Sequence, residues 1–155
     1  MSLIRKANMG DRKAVQQISA DAYTPAYMAV IGAVPKPAME DYGPRIVKGE
    51  VWLLEVDKAP VGIAVLEEHS DHLLVYSIAV TPEAQGQGHG TALLRFADQR
   101  AAAAGKLEIR LYTNQRMERN VALYRDYGYI AVGTRPHPSR PGEVLIDFVR
   151  KVPPS

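Results

Sequence analysis

Cysteine is absent from the 155-residue sequence. This absence excludes disulfide bonds, thiolate metal ligands and acyl-enzyme chemistry through a cysteine nucleophile. The chain therefore needs no oxidising compartment in order to fold. The four histidines are scattered and show no metal-ligand spacing, so we expect no metal site.

Long apolar runs are also missing. No stretch approaches the ~18 consecutive apolar residues that a membrane-spanning helix requires. The N-terminal residues place Arg5 and Lys6 directly after one apolar pair, and they lack the roughly 7–15-residue apolar core of a signal peptide. We therefore expect a cytoplasmic protein that makes no membrane contact.

Charge of one sign is scarce. The 19 lysines and arginines stand against 17 aspartates and glutamates, which gives a formal net charge of +2. The two signs are interspersed and form no basic stripe, so the sequence carries no electrostatic footprint for a nucleic acid. A small anionic ligand is compatible with this balance.

The residues that are present are typical of a folded globular protein. Hydrophobic residues make up 46% of the chain and charged residues 23%. A chain of 155 residues can close one core without disulfides or a structural metal. We expect a single domain over residues 1–155.

Apolar periodicity predicts an α/β fold. Strands are predicted at residues 3–7, 51–56, 61–66, 73–80, 106–113, 129–133 and 144–150, and helices after Asp11, at 88–104 and at 117–127. Prolines break the pattern over residues 23–44, which predicts short irregular helices there. The order predicts a mixed, mostly antiparallel central sheet of about seven strands with about four helices. One strand–helix–strand unit makes one neighbouring pair parallel.

Three glycines, Gly86, Gly88 and Gly90, lie between a predicted strand and a predicted helix. Backbone N–H groups are accessible there because no side chains cover them, and they lie at the positive end of a helix dipole. Such a segment suits a phosphate group. The alternative is a glycine turn that only tightens the connection.

Two common nucleotide motifs do not fit these glycines. The dinucleotide fingerprint needs glycines in the register G-x-G-x-x-G, whereas Gly88 is followed by Gly90 and then Thr91. The P-loop needs a lysine before its serine or threonine, and Gly90 is followed directly by Thr91. The sequence therefore disfavours a Rossmann site and excludes a P-loop kinase or ATPase.

Residues 78–94 read IAVTPEAQGQGHGTALL, and this segment closely resembles the acetyl-CoA signature of the GNAT acetyltransferase superfamily. The loop of that family reads Arg or Gln, two residues, Gly, one residue, then Gly or Ala. Gln85, Gly88 and Gly90 stand in those places. Downstream, LYTN at 111–114 and NVALYRDYGY at 120–129 look like the fifth strand and following helix of the family.

The resemblance implies direct transfer of an acetyl group from acetyl-CoA to a primary amine of a small molecule or peptide. It implies that the cofactor is bound by Ile78, Ala79, Val80, Gln85, Gly86, Gln87, Gly88, His89, Gly90, Thr91 and Asn120. The pyrophosphate would lie on the loop amides, and the pantetheine arm would pair with the strand backbone like an extra strand. That strand is usually bulged in the family, which frees the N–H of Ile78 to polarise the thioester carbonyl.

Tyr124 is the catalytic side chain that the resemblance implies. It matches the position whose phenol hydrogen-bonds or protonates the departing CoA thiolate, and it follows Asn120 by four residues on one helix face. Many members carry a glutamate base eleven residues before the first loop position, where this chain has Leu74. The acidic and histidine residues at 67–72 are possible replacements, but such a cluster is more typical of a solvated turn.

The acceptor site of the family is usually built from the early helices and the loop before the last strand, here residues 23–42 and 135–142. The aromatic and methionine residues of the first segment either line an acceptor pocket or pack against the sheet. The alternative function is a CoA-binding module with little or no catalysis, which Leu74 would permit. A homodimer is the default assembly.

Overall fold

The computed structural model describes residues 1–154, which form seven strands and five α-helices. The strands are β1 (Ser2–Lys6), β2 (Val51–Val56), β3 (Ala59–Glu68), β4 (Leu73–Val80), β5 (Glu108–Asn114), β6 (Ile130–Pro136) and β7 (Val144–Lys151). The helices are α1 (Arg12–Val30), α2 (Lys36–Met39), α3 (Gly43–Val47), α4 (His89–Ala103) and α5 (Glu118–Tyr127). Short 3₁₀ turns lie at Met9–Asp11 and Pro82–Ala84.

The strands form one sheet in the order β1-β2-β3-β4-β5-β7-β6. Every neighbouring pair is antiparallel except β4 and β5, which α4 joins as a crossover. The predicted fold class, with its mostly antiparallel sheet and single parallel pair, is confirmed. The helices number five within residues 1–154 rather than about four, because α2 and α3 are separate short helices.

The prediction of short irregular helices over residues 23–44 was wrong for residues 23–30. Helix α1 continues through Pro25 to Val30. Proline has no N–H to donate to the carbonyl of Asp21, but Asp21 and Pro25 are both exposed, so water can satisfy that carbonyl. The added turns carry Tyr23 and Tyr27 across the face of the sheet.

The sheet is covered on both faces, and each cover has its own core. On one face, Val15 and Ile18 of α1 are buried against a cluster that includes Ile63 of β3. On the other face, Leu93 and Ala97 of α4 are fully buried, as their helical spacing predicts. The two helix layers hold β4 firmly from both sides.

The ladder between β4 and β5 is short. Only Leu73↔Ile109 and Leu74↔Arg110 are paired, after which the strands separate while β3 continues to pair with β4 as far as Val80. A β-bulge lies at the start of the open part of β4, because the register steps from Leu66↔Val75 to Val65↔Ser77 and leaves Tyr76 unmatched. Opposite the separated strands the sheet has a gap.

A buried carboxylate ties together the elements behind this gap. Asp98 of α4 accepts hydrogen bonds from the Arg150 Nε at 3.1 Å and from the Tyr127 hydroxyl at 2.6 Å. These contacts join α4, α5 and β7. Gly128, at φ +120°, leaves room for the guanidinium, since a β carbon there would lie 2.6 Å from an Arg150 nitrogen.

We expect Asp98→Ala to lower the free energy of unfolding by about 2 kcal/mol, because it leaves Arg150 and Tyr127 without their partner in a mostly buried setting. Urea titration followed by circular dichroism measures the change. Arg12→Ala is the control, since the Arg12–Asp41 pair is about half exposed and should contribute less than ~1 kcal/mol. Equal losses in the two variants would contradict the assigned role of Asp98.

Candidate active site

A cavity of about 670 Å³ opens where β4 and β5 separate. Its wall is made by α1, the end of β4, the following loop, the first turn of α4 and the start of α5. The lining residues are Ala22, Tyr23, Ala26, Tyr27, Val30, Ile78, Ala79, Val80, Ala84, Gln85, Gly86, Gly88, His89, Gly90, Thr91, Arg116, Met117, Glu118, Arg119, Asn120 and Leu123. One continuous cavity therefore joins the glycine loop to the α1 tyrosines.

The glycine loop presents backbone donors to the cavity. Gly86 and Gly88 have φ values of +80° and +84°, a left-handed conformation that strains any residue with a β carbon. Gly88 is the N-cap of α4, and no side chain of residues 1–154 caps this helix. The first helical bond is donated by Ala92 to the Gly88 carbonyl, so the N–H groups of residues 89–91 have no helical acceptor. They lie at the positive end of a 15-residue helix.

The end of β4 presents a second set of backbone groups. Thr81 donates to the carbonyl of Val61, and hydrogen-bonding directions alternate along an antiparallel pair. The N–H and C=O of Ala79 therefore point toward β3. Those of Ile78 and Val80 point away from β3, to the side where β5 has separated from β4. Both residues line the cavity.

The two carbonyls on this open edge already have partners. The Tyr23 hydroxyl donates to the Ile78 carbonyl at 3.1 Å, and the Gln85 side-chain amide donates to the Val80 carbonyl at 3.0 Å. The cavity-facing edge of β4 therefore offers the N–H groups of Ile78 and Val80. An acceptor-rich ligand matches such an edge.

Tyr23 and Tyr27 lie beside this edge, with ring centroids 6.0 Å apart. Burial raises the pKa of Tyr23 well above its ordinary value, and the nearby Tyr124 adds to the effect. Burial, together with Tyr27, raises the pKa of Tyr124 as well. Burial thus keeps Tyr23 and Tyr124 protonated at neutral pH.

Tyr124 belongs to the core rather than to the cavity wall. It is 8% exposed, and its ring meets those of Tyr129 and Phe148 edge-on, with centroids 6.1 and 6.0 Å away. Asn120 and Leu123, on the same helix, line the cavity. The phenol is therefore held in a rigid setting next to the cavity lining.

The structure brings together most of the residues that the sequence predicted as cofactor-binding. The strand residues 78–80, the loop and helix residues Gln85, Gly86 and 88–91, and Asn120 all line the cavity. Gln87 is exposed and is not part of the lining.

Sequence reasoning missed two arginines of the rim. Arg116 and Arg119 line the cavity at the start of α5. Arg116 donates to the Val30 carbonyl at the end of α1 and pairs with Glu143 at 3.0 Å. Both arginines lie near the start of the predicted helix, just before Asn120, and this position could have indicated that they line the site.

The position that many relatives of the resembled family fill with glutamate lies outside this cavity. Leu74 lines a separate cavity of about 660 Å³ together with Tyr112. Its cross-strand neighbour Glu67 accepts hydrogen bonds from Arg45 at 2.6 Å and His69 at 3.0 Å. Although burial opposes them, these bonds hold the pKa of Glu67 below its usual value. Glu67 is thus a paired carboxylate and a weak base.

Residues 1–154 contain no cluster of three His, Asp or Glu side chains placed to hold a metal ion. Over the same residues, the helices are all too short or too polar to cross a membrane.

The chain is similar to known acetyltransferases. Residues 47–131 match the family model described as an acetyltransferase (GNAT) domain. A mycothiol acetyltransferase of Jonesia denitrificans is 35% identical over 107 residues, which cover 69% of this chain. The match covers 28% of that relative, so the chain spans little more than a quarter of its length.

Solved structures share the fold at low identity. The PaiA N-acetyltransferase of Thermoplasma acidophilum, in complex with coenzyme A, superposes with a TM-score of 0.77 at 16% identity, covering 95% of this chain and 98% of its own. The ribosomal-protein-S18-alanine N-acetyltransferase of Escherichia coli superposes with a TM-score of 0.79 at 19% identity, covering 100% and 96%. At these identities the likeness concerns the fold alone.

Proposed function

We propose that this chain, which belongs to the GNAT acetyltransferase family, transfers an acetyl group from acetyl-CoA directly to a primary amine. The observation that carries the proposal is the meeting of two donor sets in one cavity. The helix N-terminus at residues 89–91 suits a pyrophosphate, and the open edge at Ile78 and Val80 suits an amide-bearing arm that ends in a thioester.

In this proposal the pyrophosphate of acetyl-CoA binds the N–H groups of residues 86–91, and the pantetheine arm runs along β4 past Asn120. The arm accepts from the Val80 N–H, and the thioester carbonyl accepts from the Ile78 N–H. A donor aimed at this oxygen stabilises the negative charge that develops as the carbonyl carbon becomes tetrahedral. The amine nitrogen then forms the new bond to that carbon.

Tyr124 assists the departure of the thiolate. When the C–S bond breaks, the sulfur gains the electron pair, and the CoA thiol has an ordinary pKa of about 8.5. Because burial raises the pKa of Tyr124, its phenol stays protonated and can donate a hydrogen bond to the departing thiolate, while full proton transfer to a group of lower pKa is disfavoured. The attacking nitrogen loses its proton to water, and the sulfur, which leaves as a hydrogen-bonded thiolate, takes up a proton from the solvent.

We propose that the acceptor is an amine on a molecule that is otherwise neutral or anionic. The α1 part of the lining is apolar and aromatic, and the lining of this cavity within residues 1–154 includes one carboxylate, Glu118, beside Arg116 and Arg119. This lining does not suit a polyamine. The mycothiol acetyltransferase relative is consistent with a small-molecule acceptor, and a peptide amine is the second possibility to test.

Gly88→Glu tests the pyrophosphate position. A carboxylate at this N-cap would face the phosphates, so we expect CoA affinity to fall by about 100-fold in isothermal titration, the size of one like-charge contact near a surface. Gly88→Ala is the matched control, because it adds the same left-handed strain, about 1–2 kcal/mol of stability, without the charge. Tight CoA binding by folded Gly88→Glu would refute the placement.

Tyr124→Phe tests the leaving-group role. We expect kcat to fall by about 100-fold with little change in CoA affinity, measured by thiol release from acetyl-CoA with an amine panel. Tyr129→Phe is the control, because the neighbouring Tyr129 hydroxyl is buried without a partner among residues 1–154 and its loss should leave kcat unchanged. Wild-type CoA binding without amine-dependent thiol release would instead favour a CoA-binding module, the function that Leu74 permits.

The pH profile tests the lack of a strong base. Protonated amines of pKa about 10.4 must lose a proton to react, so kcat/KM should rise with pH through the neutral range. Because burial raises the pKa of Tyr124 above its ordinary value of 10.0, the phenol stays protonated and no falling limb should appear below about pH 10. A falling limb centred near pH 8 would contradict this account.

A further inference from the structure

Tyr23 bridges α1 to the open end of β4. Its hydroxyl oxygen lies 2.7 Å from the Ser77 hydroxyl and 3.1 Å from the Ile78 carbonyl. Along the chain, Ser77 comes directly before the Ile78 N–H, and the Ile78 carbonyl comes directly after it. One side chain therefore contacts the backbone segment that carries the proposed donor to the thioester.

This segment has little other support. The bulge leaves Tyr76 unmatched, and β5 has separated from β4 after Leu74, so residues 77–80 pair with β3 alone. The Ile78 carbonyl faces the cavity, and leaving it unsatisfied would cost about 1–3 kcal/mol. Tyr23 supplies the bond that a neighbouring strand would normally supply.

The direction of these hydrogen bonds follows from the groups involved. A carbonyl can only accept, so the Tyr23 hydroxyl donates to Ile78, and the Ser77 hydroxyl then donates to the Tyr23 oxygen. The bond to Ile78 requires a protonated phenol. Burial raises the pKa of Tyr23 well above its ordinary value, so the proton is retained throughout the neutral range.

We propose that Tyr23 is a positioning residue that holds the Ile78 carbonyl and thereby keeps the Ile78 N–H directed at the thioester oxygen. This role rests on the proposed acetyl transfer. Tyr23 acts through the backbone of Ile78, so its loss affects the transition state more than the binding of CoA, whose pyrophosphate binds at the glycine loop.

Tyr42 provides a matched control. It lies in the core cluster on the same face of the sheet, and its hydroxyl bonds to the Pro37 carbonyl at 2.6 Å and to Ser19 at 3.0 Å, away from β4. Tyr42→Phe removes the same group from the same core without touching Ile78. A general loss of rigidity would affect both variants alike.

Kinetics give the first readout. With acetyl-CoA and an amine that the wild type acetylates, Tyr23→Phe should lower kcat by about 10-fold, a fraction of the loss caused by removing an oxyanion donor, and leave KM for acetyl-CoA within about 3-fold. Tyr42→Phe should retain wild-type kcat. Unchanged kcat in Tyr23→Phe, an equal fall in Tyr42→Phe, or a loss of CoA binding in Tyr23→Phe would each overturn the positioning role.

The amide resonance of Ile78 gives a second readout that needs no turnover. In the wild type, acetyl-CoA should shift the Ile78 amide proton downfield relative to CoA, because only the thioester carbonyl accepts this bond. The difference should shrink in Tyr23→Phe and persist in Tyr42→Phe. An undiminished difference in Tyr23→Phe would overturn the inference, whereas a wild type that shows this difference but acetylates no amine would refute the proposed activity instead.

Discussion

The separation of β4 from β5 after two paired residues is the constraint on which the site depends. A fully paired sheet would cover the edge of β4 and close the cavity. Here the parallel ladder ends at Leu74, α4 crosses over the gap from one side, and α1 approaches it from the other. The cavity is thus a consequence of sheet topology, and its chemistry comes from backbone groups that no strand uses.

The glycine loop and the end of β4 both present free backbone N–H groups to the cavity. At the glycine loop, left-handed Gly86 and Gly88 turn the chain so that the first N–H groups of α4 are uncapped. Along β4, side chains from Tyr23 and Gln85 occupy the carbonyls and leave the amides available. Backbone donors are fixed by the fold, so they need no reorganisation when negative charge develops or binds beside them.

Local patterns predicted most of this arrangement. The strand before the glycines, α4 with its buried Leu93 and Ala97, and α5 ending at Gly128 all follow from spacing and turn residues within the segment. The path of α1 through Pro25 did not, because a proline normally indicates a helix end, whereas the carbonyl that Pro25 leaves without a helical donor is exposed here. The contact between Tyr23 and Ile78 joins positions 55 residues apart, and no periodicity within either segment indicates it.

Hydrogen–deuterium exchange with and without CoA tests the central claim, that the cofactor occupies the opening between β4 and β5. Protection should appear in residues 76–91 and at the start of α5, while β6, at the far edge of the sheet, exchanges as before. Protection confined to β6 and β7, or CoA binding with no protection at residues 76–91, would contradict the account.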